Sequence, residues 1–403
     1  MKTAVFFLFT LALSGQNISN RPVLTEQLAH ADTNERIKTC EKLLLASPND
    51  AKLQIELTSA YLQKLRETAD FTYLDRAAKI VDKMLENDGG NLTALRFQNE
   101  IDLQRHDFKG VAERAQDMVK YAPSDAGSWA NLGDALMELG EYPRAQAAYL
   151  RMFALRPGLT SYNRLAWYRF VTGDAAGAIG LMQEAVEAGD PAPENTAWCL
   201  AELGDMYFKT GRIADAGASY TAALDEFPTL HRALAGMGRV NAAQGKKQEA
   251  IHSYLRAQSI VPLPEYASAL EDLYTASGQT KKAQEQRDLI AVIEKIGQAT
   301  KERANRNLAL LLADHDRDLP VARQLIETEL PLRSDVYTWD AYSWILFKSH
   351  CLEEAKAASA KAVRLGTPEP MFYQHAELIA KASGDEKAAQ EYARRLAALQ
   401  VTQ

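Results

Sequence analysis

Asp314, His315 and Asp316 set two carboxylates either side of an imidazole, donor types that bind divalent metals. Three adjacent side chains on a loop do not readily converge on one ion, so the run reads as a solvated turn. The seven histidines are otherwise scattered. Cys40, Cys199 and Cys351 are odd in number, far apart and without C-x-x-C spacing, which gives neither a disulfide framework nor a zinc site. Cys40 and Cys199 are expected as small buried hydrophobes. The sequence holds no H-E-x-x-H, no G-x-x-x-x-G-K phosphate loop and no G-x-S-x-G elbow. Glu271-Asp272 and Glu353-Glu354 fit helix starts or surface charge better than an acid–base pair. No grouping offers nucleophile, base and oxyanion donors together. The expectation is a protein that is not an enzyme and uses no cofactor and no metal. An unrecognised catalytic site around Arg164 and Arg169 is the alternative to it.

Aromatic density is the other feature with chemical content. Tyr162, Trp167, Tyr168 and Phe170 fall close together, as do Trp198, Tyr207 and Phe208, and a second cluster holds Trp339, Tyr342, Trp344 and Phe347. Arg164, Arg169 and Lys209 lie near the first cluster and could meet a carboxylate or stack on a ring. The competing reading is that the rings fill seams between helices.

The elements that carry these residues repeat. Trp129, Leu132, Gly133, Gly140, Ala145, Tyr149 and Pro157 return in type as Leu203, Gly204, Tyr207, Gly211, Ala216, Tyr220 and Pro228. They return again as Met237, Gly238, Gly245, Ala250, Tyr254 and Pro262. A fixed period of about 34 residues is the signature of stacked helix–turn–helix units. Leu132 and Leu136 share a helix face. Gly133 and Ala145 are small enough for two helices to approach closely. Gly140 sits in the turn, where positive φ is expected. Pro157 follows the second helix, which it cannot continue. His106 and His350 stand where other units have the turn glycine, and histidine tolerates the left-handed region better than most residues.

Units start near Ala51, Leu92, Ala126, Leu159, Ala197, His231, Pro264, Arg303, Val336 and Pro370, and are counted as about eight full repeats and one partial repeat. From Ala51 to Leu92 is 41 residues, and the excess falls around Arg66 to Asp75, where Thr68, Asp70 and Thr72 suggest a lengthened turn. The turn from Asp314 to Leu319 is also expected to be long. Before the first unit, Asp32 and Glu35 have capping-box spacing, and Val23 to Ala31 is expected as a short helix. Residues 15–22 are polar and expected to be flexible. Lys2, the apolar run Ala4 to Leu13 and the small residues Ala12 and Ser14 have the form of an export signal over residues 1–14, giving a periplasmic or secreted protein, with a cytoplasmic one as the alternative. No later segment is long and apolar enough to span a membrane. A net charge of −7 without a basic block argues against nucleic acid.

The fragment Trp129-Ala130-Asn131-Leu132-Gly133, followed by Ala145-x3-Tyr149 and Pro157, resembles the tetratricopeptide repeat family. The resemblance covers nearly the whole chain after residue 22 and is strongest from Leu92 to Pro262. It implies an all-α, right-handed superhelical solenoid over residues 23–403, with the first helix of each pair lining an inner groove that binds peptides or partner proteins. It implies no catalytic activity. In the family register Trp167, Phe170, Trp198 and Phe208 point to that groove, flanked by Arg164 and Lys209, and Trp344 and Phe347 do so in the second cluster. Groove positions Ala130 and Asp134, Asn163 and Trp167, Ala201 and Asp205 lack the lysines and asparagines with which some members clamp a C-terminal carboxylate. The function expected is a protein-binding scaffold with a partner of unknown identity. The alternative is a cell-envelope or carbohydrate-binding component that uses the rings to stack on sugars.

Overall fold

The computed structural model describes residues 31–190, 192–299 and 305–400; the expected export signal, the flexible segment and all of the expected Val23 to Ala31 helix except Ala31 lie outside them. Every regular element among the described residues is helical. One helix, α1 (Thr33–Ala46), precedes ten antiparallel pairs: α2 (Ala51–Thr68) with α3 (Thr72–Asn87), α4 (Leu92–Gln104) with α5 (Phe108–Tyr121), α6 (Ala126–Glu138) with α7 (Tyr142–Leu155), α8 (Leu159–Val171) with α9 (Ala175–Ala188), and α10 (Pro193–Lys209) with α11 (Ile213–Glu226). Then come α12 (His231–Ala243) with α13 (Lys247–Ile260), α14 (Pro264–Thr275) with α15 (Thr280–Ala299), α16 (Arg306–Asp314) with α17 (Leu319–Glu329), α18 (Val336–Lys348) with α19 (Leu352–Ala362), and α20 (Pro370–Ala382) with α21 (Glu386–Gln400). The eight full units and one partial unit counted from sequence are thus ten pairs, the last complete. Among the described residues, consecutive helices pack on one another except at the step from α15 to α16, where α14 contacts α16 instead, and this serial packing makes the fold an all-α solenoid.

Side chains start the helices. Asp50, Asn91, Asp107, Asp125, Asp174 and Asp335 each accept a backbone N–H from the first turn that follows. Left-handed residues stop them: Gly140 at φ 71°, Gly245 at 75°, and His106 and His350 each at 61°, as the spacing predicts. Ala145, Ala216 and Ala250 are fully buried between the helices of their pairs. The Tyr220 ring packs against both Gly204 and Gly236, where any Cβ would collide with it. That contact ties one pair to the next, so a small residue at this position serves two interfaces.

Two expectations about turns resolve differently. The turn after α2 has the same length as those after α4, α6, α8, α10 and α12. The excess at Arg66 to Asp75 extends the helix instead: α2 has 18 residues, against 13 in α4, α6, α8, α12, α18 and α20. Leu62 and Leu65 are buried and continue the apolar face, which keeps the backbone helical past the point where Thr68 and Asp70 suggest a loop. Helix α10 is the other long first helix, at 17 residues, because it starts at Pro193 rather than near Ala197. The turns between α14 and α15 and between α16 and α17 are longer than the others by one residue, and the second has Asp316 and Asp318 both at positive φ.

Candidate interaction surface

The solenoid curves until its second half meets its first. At Gly140 the Ser334 N–H donates to the Glu138 carbonyl at 3.0 Å and its hydroxyl donates to the Leu139 carbonyl at 2.9 Å. The Val336 N–H donates to the Tyr142 hydroxyl at 2.9 Å. One pair further on, the Thr367 hydroxyl donates to the Val171 carbonyl at 2.6 Å. A Cβ placed at Gly140, Gly173 or Gly211 would stand 2.6, 2.7 or 2.5 Å from the carbonyl oxygen of Ser334, Leu365 or Leu399. The turns inside successive N-terminal pairs therefore run along the loops between successive C-terminal pairs and, at Gly211, along the last turn of α21, both rows ascending together. We term this contact the seam.

Charge is sealed into it. Arg333, 3% exposed, donates to Glu138 and Glu329 and faces Asp335. Arg306 donates to Asp335 and Thr338. His106 lies 3.7 Å from Glu329, and burial, aided by Arg333, pushes its imidazole down to about 4. On the inner side Arg66 donates twice to Glu194, at 2.9 and 3.0 Å, and approaches Glu100. Arg66 belongs to the last turn of α2 and Glu194 to the first turn of α10, so the two long first helices are the two that meet. Burial pushes the Glu100 carboxyl up to about 8 against the opposing pull of Arg66 and Arg164. Removing one member of such a buried pair costs about 3–5 kcal/mol, because it strands the other charge.

The residues singled out in the sequence divide by this geometry. Arg164 is buried and holds Asp134 through three hydrogen bonds of 2.9–3.1 Å. Phe170 is 1% exposed and Trp198 6%. Trp167 is half-buried and stacks on Phe170 and on Tyr337 of the C-terminal half, at 5.8 Å from the latter. Trp344 is buried against His375 and Phe347, and its indole N–H donates to Asp314. The open ring surface expected of Phe170, Trp198 and Trp344 is therefore not present: the seam and the neighbouring pairs cover it. Phe208 stays partly open, and Lys209 reaches Glu369 at 2.7 Å across the seam, which holds its ammonium above the usual lysine range despite burial. Around them Arg232 lies over Trp198 and Arg239 over Phe208, both bound to Asp205, with 23% and 36% of their side chains exposed.

Asp314, His315 and Asp316 diverge to Trp344, Asp272 and Lys348. Cys40 and Cys199 are buried and Cys351 partly so, all three as free thiols. Among the described residues no helix is long and apolar enough to cross a membrane. The sequence reading missed the seam altogether. The only local trace of it is the recurrence of Ser124-Asp125-x-x-Ser128-Trp129 as Ser334-Asp335-x-x-Thr338-Trp339.

The tetratricopeptide repeat family model matches residues 110–193 and 201–263. The chain carries tetratricopeptide repeats. No curated protein matches it. Among solved structures it is similar to PilW, a widely conserved type IV pilus biogenesis factor, at 17% identity over 51% of this chain and 93% of that one, with a TM-score of 0.43. It is similar to the APC/C hetero-tetramer Cut9-Hcn1 at 15% identity over 94% and 67%, TM-score 0.40, and to BtubC from P. vanneervenii at 17% over 49% and 92%, TM-score 0.40. Tetratricopeptide repeats generally mediate protein–protein interaction, and beyond the matched stretch the same helix pairs continue to α21.

Proposed function

We propose that this protein is a non-enzymatic scaffold that binds a polypeptide partner on the inner face of α10 and α12. The observation that carries the reading is the array of Phe208, Lys209, Arg232 and Arg239, whose cations lie over aromatic rings and retain exposed surface. Lys209 keeps this surface while Glu369 holds it, and Arg232 and Arg239 keep theirs while Asp205 holds them. Cations held over rings are pre-oriented, so a partner carboxylate or aromatic side chain meets them at little entropic cost. The partner expected is an extended segment with an acidic residue. A photo-crosslinking residue at Phe208 or Met237 should yield a discrete adduct with a cellular protein in the native compartment, and one at Glu187, on the outer helix α9, should not. Equal labelling from all three positions, or adducts only from Glu187, would place the partner elsewhere. The export reading of residues 1–14 is proposed with it, and the intact mass of the native protein tests it: retention of Met1 refutes export.

A further inference from the structure

The seam uses only part of each row. On the turn row His106, Gly140, Gly173 and Gly211 are met by the C-terminal half, but a Cβ at Gly245 or Gly278 would find nothing within 4 Å. These two free turns read Gly245-Lys246-Lys247 and Gly278-Gln279-Thr280-Lys281-Lys282. All four lysines are exposed, and none pairs with a carboxylate among the described residues: Lys247 donates to the Ala276 carbonyl and Lys282 lies over Tyr274. On a chain of net charge −7 this is an unneutralised basic ridge in line with the seam.

The loop row is free at its other end. Ser47–Asp50, Asp88–Asn91 and Ala122–Asp125 contain Asp50, Asp88 and Asp125 and no basic residue, although Arg96 of α4 pairs with Asp125 at 2.8 Å and Lys83 of α3 donates to the Pro48 carbonyl at 3.3 Å. Ser124 is exposed in the same sequence setting as Ser334, and Asp125 caps α6 through Ser128 as Asp335 caps α18 through Thr338. Ser334 is the residue that docks on Gly140. The loop at Ser124 is thus built like a docked loop, and among the described residues no turn lies against it. Leu45 and Tyr121, the most exposed large hydrophobic residues described at 84% and 80%, both stand just before loops of this free row. Exposed apolar side chains beside polar docking groups mark a contact surface.

We propose that the free turn row of one copy receives the free loop row of a second copy, extending the seam so that the protein self-associates head to tail. The two rows suit each other in direction and in charge; inside the molecule the seam joins them with both polarities, a turn-side cation on a loop-side acid at Lys209–Glu369 and the reverse at Glu138–Arg333. A contact of this kind joins two different faces, so it propagates unless the rotation closes a ring.

Sedimentation velocity of the full chain tests the proposal. At low salt the weight-average mass should rise with concentration, and high salt should reverse it. Lys246→Glu with Lys281→Glu should weaken association roughly tenfold or more, as should Asp88→Lys with Ser124→Lys, while mixing the two variants should restore a heteromeric complex. The milder Lys246→Gln with Lys281→Gln should give an intermediate loss, and circular dichroism verifies that each variant keeps its helices. A monomer at every concentration in low salt overturns the proposal, and so does association that survives both reversals. If both variants lose association but their mixture does not regain it, the rows do not face each other and the lysine ridge serves another, acidic occupant.

Discussion

Gly173 and Gly245 occupy the same position in equivalent turns, at φ 91° and 75°, yet the structure assigns them different costs on substitution. An alanine in the left-handed region costs about 1–2 kcal/mol wherever it is placed. At Gly245 that is the whole effect, since nothing lies within 4 Å of the new Cβ. At Gly173 the Cβ would also stand 2.7 Å from the Leu365 carbonyl oxygen and 3.1 Å from that of Gly366. Both are backbone atoms and cannot rotate away, so overpacking adds about 1–3 kcal/mol. Urea unfolding should therefore show Gly173→Ala less stable than Gly245→Ala by about 1–3 kcal/mol. If the seam yields rather than the fold, small-angle scattering should show Gly173→Ala expanded and Gly245→Ala unchanged. Equal stabilities together with equal radii would refute the contact between the two halves.

Arg333→Met should cost about 3–5 kcal/mol by leaving Glu138, Glu329 and Asp335 facing one another, and Glu138→Met in the same chain should recover much of it; additive losses in denaturant titration would count against a shared cluster. Glu100→Gln should remove a pH dependence. The Glu100 carboxyl titrates higher when folded than unfolded, so the native state holds the extra proton and its contribution is present below about 4.5 and lost as pH rises towards about 8. The wild type should therefore lose stability relative to Glu100→Gln across that window, and parallel curves would show that Glu100 is not the cause. Ala250→Leu should lower stability by about 1–3 kcal/mol, because Ala250 is fully buried between α12 and α13, and an unchanged thermal midpoint would place it outside that interface.

The 34-residue recurrence of a large residue, a small one, a turn former and a proline reports what each helix needs from its immediate neighbours. It therefore reveals the solenoid, the positive φ at His106, Gly140, Gly245 and His350, and the closeness demanded at Gly133 and Ala250. All of these lie within one pair or the next. What Gly140 meets at Ser334, Val171 at Thr367 or Lys209 at Glu369 follows from curvature summed over several pairs. Each pair contributes a small rotation set by packing, and no residue pattern within one period records the sum. That is why Trp167 and Lys209, read as groove residues in sequence, meet Tyr337 and Glu369 of the C-terminal half in the folded chain. Six turns carry the same signature, but tertiary structure alone decides that Gly140, Gly173 and Gly211 are pressed against a second row of backbone while Gly245, Gly278 and Gly384 face open space.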